Sequence, residues 1–202
     1  MAQSKVHSKI FLWLSIISSL FFITLKFFQW KLVEMFTVFV MPFVWLFLYI
    51  FFLVVFILSI IRLFKKKEWK PLFIQAITIV LLLFIPFNQV ALNVDFKLNK
   101  SERNEVISKI QDGTYKPNVS HNNSLIHLPD DYTDLSKGGG DIIVEKDGED
   151  YSILFFTFRG VLDNFSGFVF SPNDKKPHAH LFGGDFKEVV KMEENWYFVS
   201  SS

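Results

Sequence analysis

The pattern of hydrophobic and polar positions changes character once along this chain, near residue 94. Upstream, apolar residues come in long runs separated by short charged clusters. Downstream, they alternate with polar residues or recur at helical spacing, as they do in a water-facing domain.

Three upstream runs predict helices. Residues 10–30, as a helix, reach about 31 Å at 1.5 Å per residue, enough to cross a hydrocarbon core of about 30 Å. Lys26 is the one charge in this run and stands four residues from its end, within snorkelling reach of lipid headgroups. A cleaved secretory leader would need small side chains after its apolar stretch. Phe27, Phe28 and Trp30 stand there instead, so the run is read as a retained helix. Residues 35–61 contain no charge and form the strongest span. Their helical length of about 40 Å exceeds the core and implies tilt, and Pro42 removes one backbone donor near the start. Residues 71–92 begin at Pro71, a favoured first helical position, and carry the late interruptions Pro86, Asn88 and Gln89.

Orientation follows from the loop at residues 62–70, RLFKKKEWK, which holds Arg62, Lys65, Lys66, Lys67 and Lys70. Short loops rich in Lys and Arg stay cytoplasmic, and the competing loop at 31–34 offers only Lys31 against Glu34. The N-terminus, with Lys5 and Lys9, is then cytoplasmic, and everything beyond the third helix lies outside. The expected location is the cell membrane. Trp13, Trp30 and Trp69 fall near the expected interfaces. A role for the five cations as topology determinants accounts for the loop without phosphoinositide or nucleic-acid binding.

The downstream part, residues 95–202, predicts an extracytoplasmic α+β domain. Ser101 is placed to cap a helix over 102–112, with Val106, Ile107 and Ile110 on one face and Gly113 at its stop. From Ser124 the segments SLIHL, DIIVEK, YSILFFTFRG, FSGFVFS, FKEVVKM and NWYFVSS read as strands. Asp147-Gly148, Asp163-Asn164 and Glu194-Asn195 are placed as hairpin turns, which implies an antiparallel meander of about five strands. Residues 153–158 are apolar on both faces apart from Thr157. That stretch is expected to be the central strand, with a cover on each face, one of them the single amphipathic helix.

Charge sharpens the division. Residues 1–94 carry nine Lys and Arg against two acids, +7, and residues 95–202 carry twelve against eighteen, −6, so the formal +1 of the chain is a cancellation. An acidic extramembrane part argues against nucleic acid as a partner. The upstream basic part suits the lipid bilayer. With no cysteine in the sequence, disulfides, thiolate metal sites and thiol nucleophiles are excluded.

Candidate chemistry is sparse. His178 and His180, two apart in PHAHLFGGD, would share a face of a strand, as metal ligands can, but their neighbours read as a solvated hairpin loop. His121 and His127 are single and unpatterned. Asp130, Asp131 and Asp134 could hold calcium, yet they lack the Gly turn and distal Glu of an EF-hand loop, and acids at a helix start are the plainer account. Gly138, Gly139 and Gly140 precede no Lys-Ser/Thr, which removes a phosphate loop. Neither GxSxG, SxxK nor HExxH is present. Gln75 and Lys26 are too few and too peripheral to build an ion path of known kind.

No cofactor is expected. The leading expectation is a non-enzymatic, multi-pass membrane protein that presents a small α+β domain to a protein partner or envelope component at the outer face, in an accessory, sensor or immunity-type role. The alternative is a small subunit of a transporter or channel, in which three helices per chain build a pathway as a homo-oligomer. A metal-dependent, membrane-anchored enzyme would rest on His178 and His180 alone.

Overall fold

The structure is a computed structural model that describes residues 2–147, 150–160 and 164–201; the side chains of residues 2–7, 34, 37, 38 and 147 lie outside the description. The chain divides into two compact units, Met1–Ala91 and Leu92–Ser202.

The first unit is helical. Helix α1 spans Ala2–Phe27, α2 Gln29–Lys66 and α3 Lys70–Phe84, and α4, Phe87–Gln111, begins within this unit and ends in the second. Only Phe28 separates α1 from α2, so the connection expected at 31–34 is part of a helix. Helix α2 also runs past residue 61, because Arg62, Lys65 and Lys66 are good helix formers and cations in a last turn complement the helix dipole. It stops at Lys67, which adopts a left-handed conformation (φ 53°) and donates its N–H back to Leu63. The connection to α3 is therefore three residues long.

Pro86 decides the end of α3. A residue before proline is pushed out of the helical region, and Ile85 is extended at φ −88°, ψ 120°. The third apolar run is thus two helical pieces broken at Ile85-Pro86.

Helices α1 and α2 run antiparallel: Phe11 meets Arg62 near one end of the pair and Phe22 meets Phe52 further along. Phe22, Leu48 and Phe52 form the apolar core, with Leu25, Trp45, Ile79 and Leu82 packed against it. Most large apolar side chains of this unit point outward, among them Phe39 (81% exposed), Phe43, Phe47 and Phe84.

The second unit packs α4 on an antiparallel sheet of six strands: β1 Leu125–His127, β2 Asp141–Asp147, β3 Asp150–Arg159, β4 Phe165–Phe170, β5 Phe186–Glu193 and β6 Trp196–Ser201. Their order is β1-β2-β3-β4-β6-β5. The α+β expectation fits, with six strands where about five were expected. The meander holds through β4 and then departs, because β6 inserts between β4 and β5. Asp147 pairs with Asp150 across the first hairpin, while Gly148 and Asp163 of the expected turns lie outside the described residues. The third turn is as expected: Glu193 pairs with Trp196, and Asn195 takes the left-handed conformation (φ 63°) that asparagine tolerates.

Strand β3 is interior, with Ile153 and Phe155 on one face and Leu154 and Phe156 on the other, all buried. A bulge at Thr157 shifts its register with β4. Gly167 sits opposite Phe156 where the strands crowd: a Cβ there would come within 2.4 Å of the Phe155 carbonyl oxygen.

Each face of the sheet has its own core. On one face, Phe96, Val106 and Ile107 of α4 join Ile126, Leu128, Leu135, Ile142, Ile153, Phe155, Phe168 and Trp196. Helix α4 is continuous through the expected junction, and Ser101 lies within it, exposed, instead of capping a shorter helix. Phe96 needs that continuity, since it packs two turns upstream of Arg103. The expected stop is correct: Gly113 takes φ 79° two residues after the last helical residue. On the opposite face, Leu154, Phe156, Phe165, Val169, Tyr197 and Val199 are covered by Leu181 and Phe182 from the connection between β4 and β5. That connection is a lid with a buried tip. The Pro, Asn, Asp and Lys content of this stretch predicts a solvated hairpin loop, and the burial of Leu181 and Phe182 corrects that.

Candidate functional site

Both units bury polar side chains, and the helical unit does so beneath an apolar surface. Its buried stripe on α1 is Ser15, Ser18, Ser19 and Phe22, at the i, i+3, i+4, i+7 spacing of one helix face. Three of these four residues are serines. On α3 the buried residues are Pro71, Gln75 and Thr78, and α2 contributes Ser59 and Arg62. Gln75 Nε2 donates to Ser18 Oγ at 3.4 Å, joining α3 to α1.

Local chemistry explains how these groups are accommodated. Ser15, Ser59 and Thr78 donate their hydroxyls to carbonyls one turn back on their own helices (Leu12, Val55 and Ile74, 2.8–2.9 Å), and Ser18 does so to Ser15 at 3.1 Å. Small side chains then let helix backbones approach closely, which is how helices associate where no hydrophobic force drives them together. Among the described residues of α1 and α3, Gln75 Oε1 and Ser19 Oγ are buried with no hydrogen bond. Gln75, read from the sequence as too peripheral for an ion path, has its side chain fully enclosed. The signal that could have shown it is the S-x-x-S-S spacing in α1, which repeats on one face opposite a run of Leu, Ile and Phe.

At the end of α2, Arg62 is only 7% exposed. Its guanidinium lies 4.0 Å from the centre of the Phe11 ring, and Nε donates to Glu68 Oε2 at 3.0 Å. Lys65, Lys66, Lys67 and Lys70 around it are exposed. A cleft of about 270 Å³ opens beside this arginine, lined by Phe11, Leu58, Ile61, Arg62, Lys65 and Lys66. Elsewhere in the unit, Lys26 donates to Gln29 (3.2 Å), sits 5.5 Å over the Trp45 ring, and Gln29 in turn donates to Asn88. Trp13, Trp30 and Trp69 are all exposed.

In the α+β unit the histidines expected as metal candidates fall in the lid. His178 and His180 are exposed and lie outside any strand, so the shared strand face does not form. No cluster of three or more metal-ligating side chains occurs among the described residues. Asp130, Asp131 and Asp134 lie exposed on the 3₁₀ turn Asp130–Leu135, with the first two in its opening turn where acids suit the dipole. His121 is an exposed turn residue with φ 65°. His127 faces Asp141 (Nδ1 to Oδ1, 2.9 Å), whose other oxygen accepts from Arg159 at 2.8 Å. Gly138 to Gly140 all have positive φ, and Gly140 closes the turn by donating to Ser136.

The tightly built polar features of this unit hold it together. Arg103 on α4 is 1% exposed. Its Nη2 donates to Asp95 Oδ2 (2.8 Å) and to the Leu135 carbonyl (3.1 Å), and its guanidinium sits 4.7 Å over the Phe168 ring. Burial pushes its pKa below the usual value, while Asp95 opposes that shift. Asp174 in the lid is bound reciprocally to Asn195 on the β5–β6 turn: Asp174 N–H donates to Asn195 Oδ1 (2.7 Å) and Asn195 N–H to Asp174 Oδ1 (3.1 Å). Tyr197 donates to the Asp174 carbonyl at 2.7 Å, and Lys191 pairs with its carboxylate. Lys191 first, and then the Asn195 N–H, hold this carboxyl below the usual carboxylate range.

Among the described residues two helices, Ser8–Phe27 and Phe39–Lys66, are long and apolar enough to cross a membrane, or three if the bent pair α3–α4 counts as one. No protein-family model, curated protein or solved structure matches the chain.

Proposed function

We propose that this chain is a multi-pass membrane protein whose apolar helices hold the α+β unit at the outer face of the cell membrane, where that unit binds a protein or envelope component. One observation carries the reading: the helical unit turns phenylalanines and leucines outward while enclosing Ser15, Ser18, Ser59, Gln75 and Thr78. Water would penalise that surface, and hydrocarbon suits it. The cations at the α2–α3 turn support a cytoplasmic position for that turn and an outer position for the unit after α4. The α+β unit supports a binding role through its largely polar surface and the cores packed on both faces of its sheet.

The native chain has no cysteine, so single cysteines report cleanly. In intact cells, Asn173→Cys should react with a membrane-impermeant maleimide, and Lys66→Cys should react only after permeabilisation. Recovery of the protein in the soluble fraction, or labelling of Lys66→Cys alone from outside, would overturn the reading. A photo-crosslinker placed at Tyr151 of the full chain tests the binding role and should trap one envelope component.

A second reading, a small transporter or channel subunit, draws on the same enclosed hydroxyls and amide of α1 and α3. Solute flux in vesicles carrying only residues 1–91 would favour it over the binding role.

A further inference from the structure

We propose that the cleft at the end of α2 is a binding site for one anionic glycerophospholipid; this rests on the membrane reading above. The cleft is two-sided. Phe11, Leu58 and Ile61 make an apolar wall that the hydrocarbon stems of Arg62, Lys65 and Lys66 extend, and the exposed Lys65 and Lys66 place cationic side chains at its rim. Along α2 the apolar positions come first, and Lys66 lies about 12 Å further on at 1.5 Å per residue. A molecule that fills both ends must therefore carry negative charge at one end and hydrocarbon at the other. Arg62, Lys65 and Lys66 stand at i, i+3 and i+4 and so share one helix face.

The charges select the headgroup. Arg62 is held against Phe11 and matched by Glu68, so its own charge is largely compensated. Lys65 and Lys66 contribute the net positive charge of the rim. A phosphodiester with no ammonium of its own complements them, whereas a zwitterionic headgroup would set a cation beside two others. The outer surface of α2 continues the apolar wall upstream with Val54 (48% exposed) and Ile57 (47% exposed), along which the rest of an acyl chain would lie. A topology determinant needs only local charge, in any arrangement. Here two of the four lysines around the turn, Lys65 and Lys66, line the cleft, and Lys67 and Lys70 do not.

That difference supplies the test. Full-length protein, purified in detergent, is titrated with phosphatidylglycerol, phosphatidylcholine or inorganic phosphate, and bound adducts are counted by native mass spectrometry. Lys65→Gln with Lys66→Gln should weaken phosphatidylglycerol binding about 25-fold, at roughly fivefold per lysine. Lys67→Gln with Lys70→Gln removes the same charge off the cleft and should leave binding within about twofold, because exposed charges away from the headgroup are screened by salt. Phe11→Leu, which keeps an apolar wall, should retain lipid binding and serves as a check that the helices still pack. Equal losses from the two double variants would overturn the site, as would phosphatidylcholine binding as tightly as phosphatidylglycerol. Inorganic phosphate binding with the same dependence on Lys65 and Lys66 would reassign the cleft to free phosphate and also overturn the proposal. Recovery of the native chain in the soluble fraction of cells would instead sink the membrane reading, so the two failures are told apart.

Discussion

Each unit of this protein encloses one arginine, and the two sites show how differently the units are built. Arg62 and Arg103 each lie over a phenylalanine ring and bond a carboxylate. Around Arg103 the enclosed neighbours are Phe96, Phe155, Phe168 and Leu135, and the surface of its unit is largely polar. Inward of Arg62, the enclosed residues on the three helices include Ser59, Ser15, Ser18 and Gln75, and the surface is apolar. The α+β unit hides its hydrocarbon, as a domain in water must. The helical unit encloses hydroxyls and an amide, which is the economical arrangement when the surroundings are as apolar as leucine. Both units bury serines, and the helical unit also encloses Phe22, Leu48 and Phe52; what separates them is the surface, apolar on one and largely polar on the other.

The strongest way to break this comparison is at Arg103. Replacing it with Met should destabilise the α+β unit by about 3 kcal/mol, at the lower end for a broken buried ion pair because Asp95 is partly solvated. Arg103→Lys should recover little, since an ammonium cannot serve Asp95 and the Leu135 carbonyl with one planar fork. Chemical denaturation followed by the fluorescence of Trp196 would read both.

A matched pair of substitutions tests the contrast of solvents directly. Phe47 on α2 is 68% exposed and Tyr151 on β3 is 58% exposed. Phe47→Asp should cost about 3 kcal/mol of membrane insertion, whereas Tyr151→Asp should change stability by no more than about 0.5 kcal/mol. Equal, small effects at both positions would mean that the helical unit is wetted by water. An insertion assay with the full chain distinguishes the outcomes.

Gln75→Leu probes the enclosed polar seam and should weaken helix association by about 1 kcal/mol, typical of a hydrogen bond between helices in lipid. A gain in stability would show that the unpaired Oε1 outweighs the bond to Ser18. The smallest expected effect concerns pH. The Asp174 carboxyl is depressed in the folded state, so the stability it contributes is complete above the unfolded carboxylate pKa and is lost as pH falls through the lower folded value. Asp174→Asn should flatten that acid limb in a pH series of thermal melts.

Much of the architecture is local and could be read along the chain. Pro71 opens α3 and Pro86 ends it, because a fixed φ and a missing N–H act on their immediate neighbours. Gly113 stops α4, and Asn195 makes the last hairpin, because left-handed backbone is cheap at those residue types. Unbroken apolar runs announced the long helices, and alternation announced the strands.

The tertiary structure decided what depends on distant partners. Ser101 looked like a cap, yet α4 continues through it because Phe96 and Arg103 gain a core from the sheet that no local cap could match. Strand β6 takes the place beside β4 because the connection before β5 must reach across the opposite face to bury Leu181 and Phe182. The serines of α1 could be counted in the sequence, but their enclosure depends on α2 and α3 packing against them. Phe11 and Arg62 are likewise 51 residues apart, and only the antiparallel pairing of α1 with α2 brings ring and guanidinium together into one wall of a cleft. Backbone preferences act within a few residues and so are written in the sequence; burial and charge pairing are properties of surfaces, which exist only once the chain has folded.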